Sequence, residues 1–245
     1  MTITLNKKEI EKFSKQIILK KIGTLGQKKI KKAKVLIIGI GGLGCPAAEF
    51  LVRAGIGTLG IIDNDIVNIS NIHRQSLYNL KDLNELKVEC AKKKLLKINP
   101  KKIIKIFKTR LNEKNASGII KKYDFIVDGS DNFKTKFLIN DYCIKFKKKL
   151  VTGAISKFDG HVFTFDFKDK KTASLKNFYQ ENEISDDNLN CEFMGVLGTT
   201  ASIVGTTQAN EALKMIMEIG QSLKNQILII DLLNLNFRKV KFKKK

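Results

Sequence analysis

The feature that most constrains the fold is a short apolar run that leads into a cluster of glycines, Lys34-Val-Leu-Ile-Ile-Gly-Ile-Gly-Gly-Leu-Gly-Cys45. Val35 to Ile38 predict a buried strand, and we expect a helix from about Pro46, because proline suits the first turn of a helix. Glycine permits positive φ and lets a ligand approach without a Cβ in the way. The helix would direct free N–H groups and its positive dipole end at an anion. This pattern is typical of a nucleotide phosphate site, and also of a strand-to-helix turn that binds nothing.

Strands and helices alternate through the first 153 residues. Further strands are predicted at 58–62, 103–107, 125–127 and 150–153, and helices at about 85–97, 112–122 and 133–146. Residues 1–33 have the apolar spacing of a helix, which Gly23 and Gly26 interrupt, and residues 66–80 form a polar loop. Such alternation predicts an α/β, Rossmann-like fold with a doubly wound and mainly parallel sheet.

The second part of the chain has a different pattern. Residues 161–167 alternate as an antiparallel strand should, and residues 195–217 predict one or two buried helices. Residues 168–190 are a polar loop, residues 226–233 a last strand, and residues 241–245 a basic tail. We therefore expect a single domain over 1–245, with a nucleotide-binding half (1–153) and an antiparallel C-terminal extension (154–245).

Acidic residues follow two of the predicted strands, at the sheet edge where ligands bind in such folds. Asp63 comes about 20 residues after the glycines, where dinucleotide folds place an acid on a ribose. Asp128 and Asp131 follow the 125–127 strand, and Arg74 and Lys87 lie between the two groups of acids. Mg²⁺ takes carboxylate and phosphate oxygens, and cations hold phosphates, so this set favours a magnesium nucleotide. The alternatives are an Asx turn for the two later acids and ordinary solvated charge for the two cations.

The formal net charge of +22, from 46 Lys and Arg against 24 Asp and Glu, raises the question of a polyanionic partner. The basic residues are spread along the whole chain without interleaved aromatics, so we do not expect nucleic acid binding. An acidic protein partner stays open. The sequence has no apolar run of the ~20 residues that a membrane span needs and no secretory signal pattern. Four scattered cysteines suit a reducing compartment, so we expect a cytoplasmic protein.

Seven short segments occur in an order that resembles a known family. They are Gln16-Ile-Ile-Leu19, Gly39-Ile-Gly-Gly-Leu-Gly44, Asp63-Asn-Asp65, Ser70-Asn-Ile-His-Arg-Gln75, Leu86-Lys-Val88, Ile98-Asn-Pro100 and Asp128-Gly-Ser-Asp-Asn132. From about residue 8 to 238 the sequence resembles the ThiF/MoeB/HesA family of E1-like adenylyltransferases, which activate ubiquitin-like sulfur-carrier proteins in molybdopterin and thiamine biosynthesis. The resemblance implies a homodimeric enzyme that uses ATP and Mg²⁺. It would convert the C-terminal Gly-Gly carboxylate of a carrier protein into an acyl-adenylate and release pyrophosphate.

The same resemblance implies roles for individual residues. It places Gly42 against the phosphates, Asp63 on the ribose, and Asp131 on Mg²⁺ and the transition state. Phosphate oxygens would be held by Asn71, Arg74 and Lys87, of which Arg74 and Lys87 are catalytic candidates together with Asp131. The other nucleotide-binding candidates are Gly39, Gly41, Gly44, Asp65, Ser70 and Asn132. Residues 154–245 would supply the crossover loop and the carrier-binding half.

Three positions depart from the family's pattern. Lys15 replaces an arginine that reaches the partner subunit's ATP, and lysine lacks the bidentate geometry of arginine. Many members hold a structural zinc with two C-x-x-C pairs, but Ser174-Leu-Lys-Asn177 occupies the first place and no cysteine follows Cys191, so we predict no zinc. Cys191 itself lies where some relatives form a persulfide or thioester-like link. It is a candidate nucleophile or a small loop residue.

The other three cysteines have no expected role in the chemistry. Cys45, Cys90 and Cys143 fall in predicted helices, where we expect them to be packing residues.

An E1-like enzyme that modifies tRNA would suit the +22 charge. An NAD-dependent oxidoreductase would share the Rossmann fold but would have little use for Asp131. A non-catalytic basic binding module would have neither activity.

Overall fold

Eight strands form one continuous sheet within residues 4–179 and 195–244, which the computed structural model describes. They are β1 (Lys34–Ile38), β2 (Thr58–Ile62), β3 (Ile103–Phe107), β4 (Phe125–Asp128), β5 (Lys149–Ser156), β6 (Asp159–Asp166), β7 (Gln226–Asp231) and β8 (Asn236–Lys241). Their spatial order is β3-β2-β1-β4-β5-β6-β7-β8. The first five strands in this order are parallel, and the pairs from β5 to β8 are antiparallel. The predicted Rossmann-like sheet with an antiparallel extension is confirmed.

Helices cover both faces of the sheet. They are α1 (Lys7–Lys12), α2 (Ser14–Ile17), α3 (Gly23–Lys32), α4 (Gly44–Ala54), α5 (Lys87–Ile98), α6 (Glu113–Ile120), α7 (Phe133–Lys145) and α8 (Gly198–Met217). Short 3₁₀ turns occur at Ile69–Asn71, Leu80–Asp82 and Leu175–Asn177. In the part of the chain that the structure describes, none of the helices has the length and apolar character to cross a bilayer.

Strand β1 lies at the centre of two cores, because successive strand residues point to opposite faces. Val35 and Ile37 pack with α4, α5 and α8 on one face. Leu36 and Ile38 pack with α6 and α7 on the other. All four side chains are at most 3% exposed. The apolar run before the glycines is therefore fixed on both sides, which holds the turn that follows it at the carboxyl edge of the sheet.

The structure refines the sequence-based prediction at three places. Gly23, with φ of +57°, begins α3 after the break that follows α2, as predicted, whereas Gly26 is buried inside α3 and does not interrupt it. Residues 198–217 form one helix, and a Cβ on Gly205 would lie 2.3 Å from the carbonyl oxygen of Leu43, which shows how closely α8 approaches α4. Strand β8 was not predicted at all. Its six residues are exposed, so the sequence lacks the apolar alternation of a half-buried strand and instead has the basic residues typical of a sheet edge.

The boundary predicted at residue 153 falls inside β5, which runs from Lys149 to Ser156. Along its first four residues β5 pairs with β4 in parallel, and over its whole length it pairs with β6 in antiparallel register. One strand thus joins the parallel and antiparallel parts of the sheet.

Candidate active site

Two glycines of the turn are required by the packing of the backbone itself. Gly39 has φ of +84°, and a Cβ there would lie 2.8 Å from the carbonyl oxygen of Gly129. A Cβ on Gly44 would lie 2.0 Å from the carbonyl oxygen of Gly39. The turn after β1 therefore packs directly on the loop after β4. These two positions need glycine whether or not a ligand binds.

The two middle glycines have different surroundings. A Cβ on Gly42 would lie 3.2 Å from Cβ of Ala201 and 3.8 Å from Cγ of Arg74, and one on Gly41 would lie 3.6 Å from Nε2 of Gln75. Among the described residues, the backbone N–H groups of Gly41, Gly42 and Leu43 have no hydrogen-bond acceptor. Adjacent free N–H donors at the start of a helix are the arrangement that binds phosphate in other proteins.

Asp63 follows β2 and is bonded to this turn. Its Oδ2 accepts the N–H of Ile40 at 2.8 Å, and its Oδ1 accepts the N–H of Asp65 at 2.8 Å. Burial raises the pKa of Asp63 above its ordinary value. Each carboxylate oxygen has a further lone pair, so the side chain can still accept a hydrogen bond from a ribose hydroxyl.

Lys87 is the first residue of α5 and lies on the same side of the turn. Its Nζ is 2.9 Å from Oδ2 of Asp65, and its backbone N–H donates to the carbonyl oxygen of Asp65 at 2.9 Å. The Lys87 side chain is 7% exposed, whereas that of Asp65 is 55% exposed. The hydroxyl of Tyr78 lies 2.8 Å from the carbonyl oxygen of Ile40 and 3.2 Å from that of Lys87. Tyr78 therefore connects the start of α5 to the glycine turn.

The segment 70–75 brings a second cation to the site. Arg74 Nη1 donates to the carbonyl oxygen of Ser70 at 2.7 Å and lies 2.7 Å from Nε2 of His73. Asn71 is buried, and its Oδ1 accepts the N–H of Asn68 at 3.1 Å, which closes the 3₁₀ turn. A cleft of about 350 Å³ is lined by this segment and by the start of α8. Its lining residues are Ile72, His73, Arg74, Ser76, Leu197, Gly198, Thr199 and Ser202.

The two acids at the end of β4 differ in burial and in their partners. Asp128 is 1% exposed, and its Oδ2 is 3.1 Å from Nζ of the buried Lys136. The same carboxylate accepts hydrogen bonds from Thr152 and from the backbone N–H of Ser130. Its charge is thus neutralised inside the protein.

Asp131, in contrast, is exposed. Its Oδ1 accepts a hydrogen bond from Nδ2 of Asn132 at 3.0 Å, and within the described residues no lysine or arginine pairs with it. Asn132 in turn caps α7, because its Oδ1 accepts the N–H of Thr135 at 2.9 Å. Asp131 is therefore a free carboxylate on a rigid support, which suits the coordination of Mg²⁺ through one carboxylate and phosphate oxygens. Groups of three or more potential metal-ligating side chains are absent from the residues described.

Sequence reasoning did not single out several residues that build this site: Gln75, Tyr78, Lys136 and Gln208. Gln208 of α8 donates from Nε2 to the backbone oxygen of Asp128 at 2.7 Å. Gln75 lies in a segment that the family resemblance had already marked. Lys136 had no distinguishing signal in a chain so rich in lysine, since only the tertiary structure shows that its side chain is buried.

Lys15 is not part of the site in the same chain. It is exposed on α2, and the neighbouring Gln16 donates to the carbonyl oxygen of Ala54 at 3.2 Å. Ala54 ends α4, whereas the glycine turn begins it. Because α4 has 11 residues, about 16 Å separates its two ends.

Three of the four cysteines are buried packing residues in helices, as predicted: Cys45, Cys90 and Cys143. Burial raises the pKa of Cys45 to about 12, and that of Cys143 well above its ordinary value. Neither is therefore a thiolate nucleophile near neutral pH. Cys191 lies outside the described residues, so its predicted role stays a prediction. Ser174 and Asn177, at the first expected zinc position, bond to each other, with the Ser174 N–H 2.7 Å from Oδ1 of Asn177.

The sequence matches a known protein family. A model of the ThiF family matches residues 13–245. The chain belongs to the ThiF family.

Two relatives have names that agree with the activity implied by the family resemblance. A probable molybdopterin-synthase adenylyltransferase of Porphyra purpurea is 41% identical over 240 residues, which cover 97% of this chain and 62% of the relative. A sulfur carrier protein adenylyltransferase of Thermus thermophilus is 37% identical over 237 residues, covering 96% of this chain and 88% of the relative. The chain thus spans less than two thirds of the first relative's length.

A solved structure agrees with the ThiF-family fold. The crystal structure of E. coli MccB with ATP has a TM-score of 0.79 and 22% identity, covering 90% of this chain and 66% of MccB. At this identity the likeness shows the fold alone.

Proposed function

We propose that the protein is an ATP-dependent adenylyltransferase that activates the C-terminal Gly-Gly carboxylate of a ubiquitin-like sulfur-carrier protein. One observation carries the proposal. The free N–H groups of Gly41, Gly42 and Leu43 lie at the carboxyl edge of the sheet, which also carries two cations and two carboxylates that a magnesium nucleotide could use. The cations are Arg74 and Lys87, and the carboxylates are Asp63 and Asp131. The names of the two ThiF-family relatives support the same activity.

In the proposed reaction, a carboxylate oxygen of the carrier attacks the α-phosphorus of ATP. A new P–O bond forms, the bond from the α-phosphorus to the bridging oxygen breaks, and pyrophosphate leaves with the bonding pair. The protein orients the reactants and stabilises the developing negative charge. The turn N–H groups, Arg74 and Lys87 supply that stabilisation, while Asp63 holds the ribose.

Magnesium fits this site through Asp131. Asp131 would hold the ion, which would neutralise phosphate charge and leave the protein's own cations to orient the nucleotide. The neighbouring Asp128 would take no part, because its carboxylate is bonded to Lys136 and Thr152. MccB, which has been crystallised with ATP, supports nucleotide binding by the fold.

A homodimer would complete the site with Lys15. Since Lys15 lies at the far end of α4 from the turn of its own chain, it can reach only the nucleotide of a second chain. Its positive charge would then contact phosphate oxygens there, with weaker geometry than an arginine. This expectation agrees with the family's pattern and gives α2 a function.

The pathway of the proposed enzyme is the molybdopterin or the thiamine one, in the cytoplasm. The Porphyra relative's name supports molybdopterin synthesis, and the Thermus relative's name supports a sulfur-carrier substrate. Neither name favours the alternatives of a tRNA-modifying enzyme or an NAD-dependent oxidoreductase.

The test is exchange of labelled pyrophosphate into ATP with Mg²⁺ and purified sulfur carriers that end in Gly-Gly. We expect exchange that depends on the carrier and stops when its last glycine is removed. Asp131→Ala should lower the exchange rate by about 10²-fold or more without lowering the unfolding temperature. Asp141→Ala is the matched control, since Asp141 is an exposed acid of α7 that pairs with Lys176. Absence of exchange with every carrier, together with NAD binding, would contradict the proposal.

A further inference from the structure

A second cleft lies at the amino edge of the parallel part of the sheet, where β1, β4 and β5 begin. Its volume is about 710 Å³, which is within the range of sites for small molecules. Lys34 begins β1, and its carbonyl oxygen accepts the N–H of Asp124 at 3.0 Å. The glycine turn follows the other end of β1, and the five residues of that strand separate the two places by about 13 Å or more. The cleft is therefore outside the proposed ATP site.

Lysine is concentrated in this cleft well above its share of the chain. Seven of the 13 lining residues are lysines, whereas Lys and Arg together make up 46 of the 245 residues of the chain. The lining also has two acids, Asp124 and Glu218, and Glu218 is already paired with Lys29. Composition alone does not explain this local excess of positive charge.

The seven lysines form two groups. Three of them donate to backbone carbonyl oxygens at the ends of α6 and α8, at 2.9 to 3.3 Å: Lys29, Lys148 and Lys149. These contacts satisfy carbonyl groups at helix ends and fix the walls of the cleft. Within the described residues, the ammonium groups of the other four have no carboxylate or carbonyl partner: Lys32, Lys34, Lys147 and Lys168. Unpaired like charges around one cleft repel each other and destabilise the fold, and a bound polyanion would remove that cost.

The aromatic rings of the cleft favour a phosphate chain over a nucleic acid strand. Nζ of Lys149 lies 5.4 Å from the centroid of the Phe125 ring. Nζ of Lys145 lies 5.9 Å from the centroid of the Phe146 ring. Both rings also pack against the core. A single strand binds by stacking its bases on such rings, and bases gain little where ammonium groups already cover them.

We propose that the cleft is a binding site for a compact oligophosphate, an anion of several linked phosphate groups without a base. Lys32 and Lys34 lie at the α3–β1 end of the cleft, and Lys147 and Lys168 at the β5–β6 end. Each ammonium group acts as a point charge and donates hydrogen bonds to phosphate oxygens. A concave site of this volume suits a small ligand, whereas a protein partner would need about 800 Å² of surface on each side. The proposal does not depend on the proposed function, because the cleft and the glycine turn lie at opposite edges of the sheet.

The test is calorimetric titration of the full chain with inorganic tripolyphosphate, at about 0.15 M salt, where distant charges are screened. The cleft variant is Lys32→Gln/Lys34→Gln/Lys168→Gln. The matched control, Lys93→Gln/Lys97→Gln/Lys105→Gln, removes the same charge from exposed lysines of α5 and β3. We expect the cleft variant to bind tripolyphosphate about tenfold more weakly than the wild type. The control should change the affinity by no more than about twofold.

Thermal unfolding gives a second measurement. Tripolyphosphate should raise the unfolding temperature of the wild type and of the control, and raise that of the cleft variant much less. Without the anion, the cleft variant should unfold at a temperature no lower than that of the wild type, because its substitutions relieve repulsion. If the triple variant does not fold, Lys147→Gln/Lys168→Gln repeats the test without changing α3 or β1.

Three results would overturn the proposal. Absence of tripolyphosphate binding is the first. Equal weakening in the cleft variant and the control is the second, since it would show that affinity follows net charge or that the anion binds elsewhere, including at the glycine turn. The third is tighter binding of a single-stranded thymidine oligonucleotide than of tripolyphosphate, lost in the cleft variant and kept in the control, which would show a nucleic acid site.

Discussion

Two lysine–aspartate pairs flank the glycine turn, one on each side of β1. Lys136 and Asp128 lie 3.1 Å apart, and their side chains are 5% and 1% exposed. Lys87 and Asp65 lie 2.9 Å apart, with side chains that are 7% and 55% exposed. Both lysines are buried, and only the aspartates differ. We expect the buried aspartate to keep its lysine, and the exposed aspartate, which water can solvate, to release its lysine when a phosphate binds.

The surrounding hydrogen bonds agree with this difference. Lys136 also donates to the carbonyl oxygen of Gly153 at 2.6 Å, and Asp128 accepts from Thr152 and Ser130, so the first pair is saturated. It joins β4, β5 and α7 beneath the loop that presents Asp131. The Lys87–Asp65 pair has one hydrogen bond between the side chains and an open solvent side. The first pair therefore has the contacts of a structural element, and we expect the second pair to open when a charged ligand binds.

The largest expected effect is on stability, from Lys136→Met. The substitution leaves the Asp128 charge buried without a cation, so the free energy of unfolding should fall by about 3–5 kcal/mol. Urea unfolding measures it. The double variant Lys136→Met/Asp128→Asn removes both charges and should recover part of the loss. If the single variant is as stable as the wild type, the Lys136–Asp128 pair does not stabilise the fold.

Lys87→Met should affect catalysis more than stability, the opposite of Lys136→Met. Its partner Asp65 is mostly exposed and regains hydration, so we expect a stability loss of about 1 kcal/mol or less. Catalysis should suffer more: the pyrophosphate-exchange rate should fall about 10²-fold, because a cation on the phosphates is lost. Measuring both quantities on Lys87→Met and Lys136→Met gives a direct test. A Lys87 variant that unfolds easily but exchanges normally would reverse the assignment of the two pairs.

The pH dependence of ATP binding tests Asp63, the second acid on the Lys87 side of the turn. Burial raises the pKa of Asp63, so on acidification it becomes protonated at a higher pH than an ordinary aspartate. Below that pKa the affinity for ATP should fall by up to about tenfold per pH unit, since the ribose loses a charged acceptor. Stability should respond in the other direction, because protonation removes the cost of a buried charge. Asp63→Asn should abolish both responses, and calorimetry with urea unfolding between pH 4 and 8 would reveal an unchanged profile if the prediction is wrong.

Most of the fold could be predicted from the sequence, because the alternation of strands and helices and the residues around the glycine turn are local signals. The site was less predictable at Asp128 and Asp131. Asp128 is the last residue of β4 and is buried beside Lys136, whereas Asp131 lies three residues further on and is exposed. Strand β8 was not predicted because it is held by backbone pairing with β7. Such pairing leaves no apolar pattern in the sequence.

The smallest expected effect separates the two possible roles of Asp65. If Asp65 only holds Lys87 until a phosphate arrives, Asp65→Asn removes a competitor of the nucleotide. ATP should then bind a few-fold more tightly, and the free energy of unfolding should fall by no more than about 1 kcal/mol, as for other pairs with an exposed partner. If instead Asp65 contacts the nucleotide, as the family resemblance implies, the same variant should bind ATP more weakly. Asp141→Asn is a suitable control: Asp141 of α7 forms an exposed pair with Lys176 of the Leu175–Asn177 turn, and its substitution should alter neither quantity by more than the experimental error. A gain in affinity would therefore show that Asp65 competes with the nucleotide for Lys87, and a loss would show that Asp65 contacts the nucleotide.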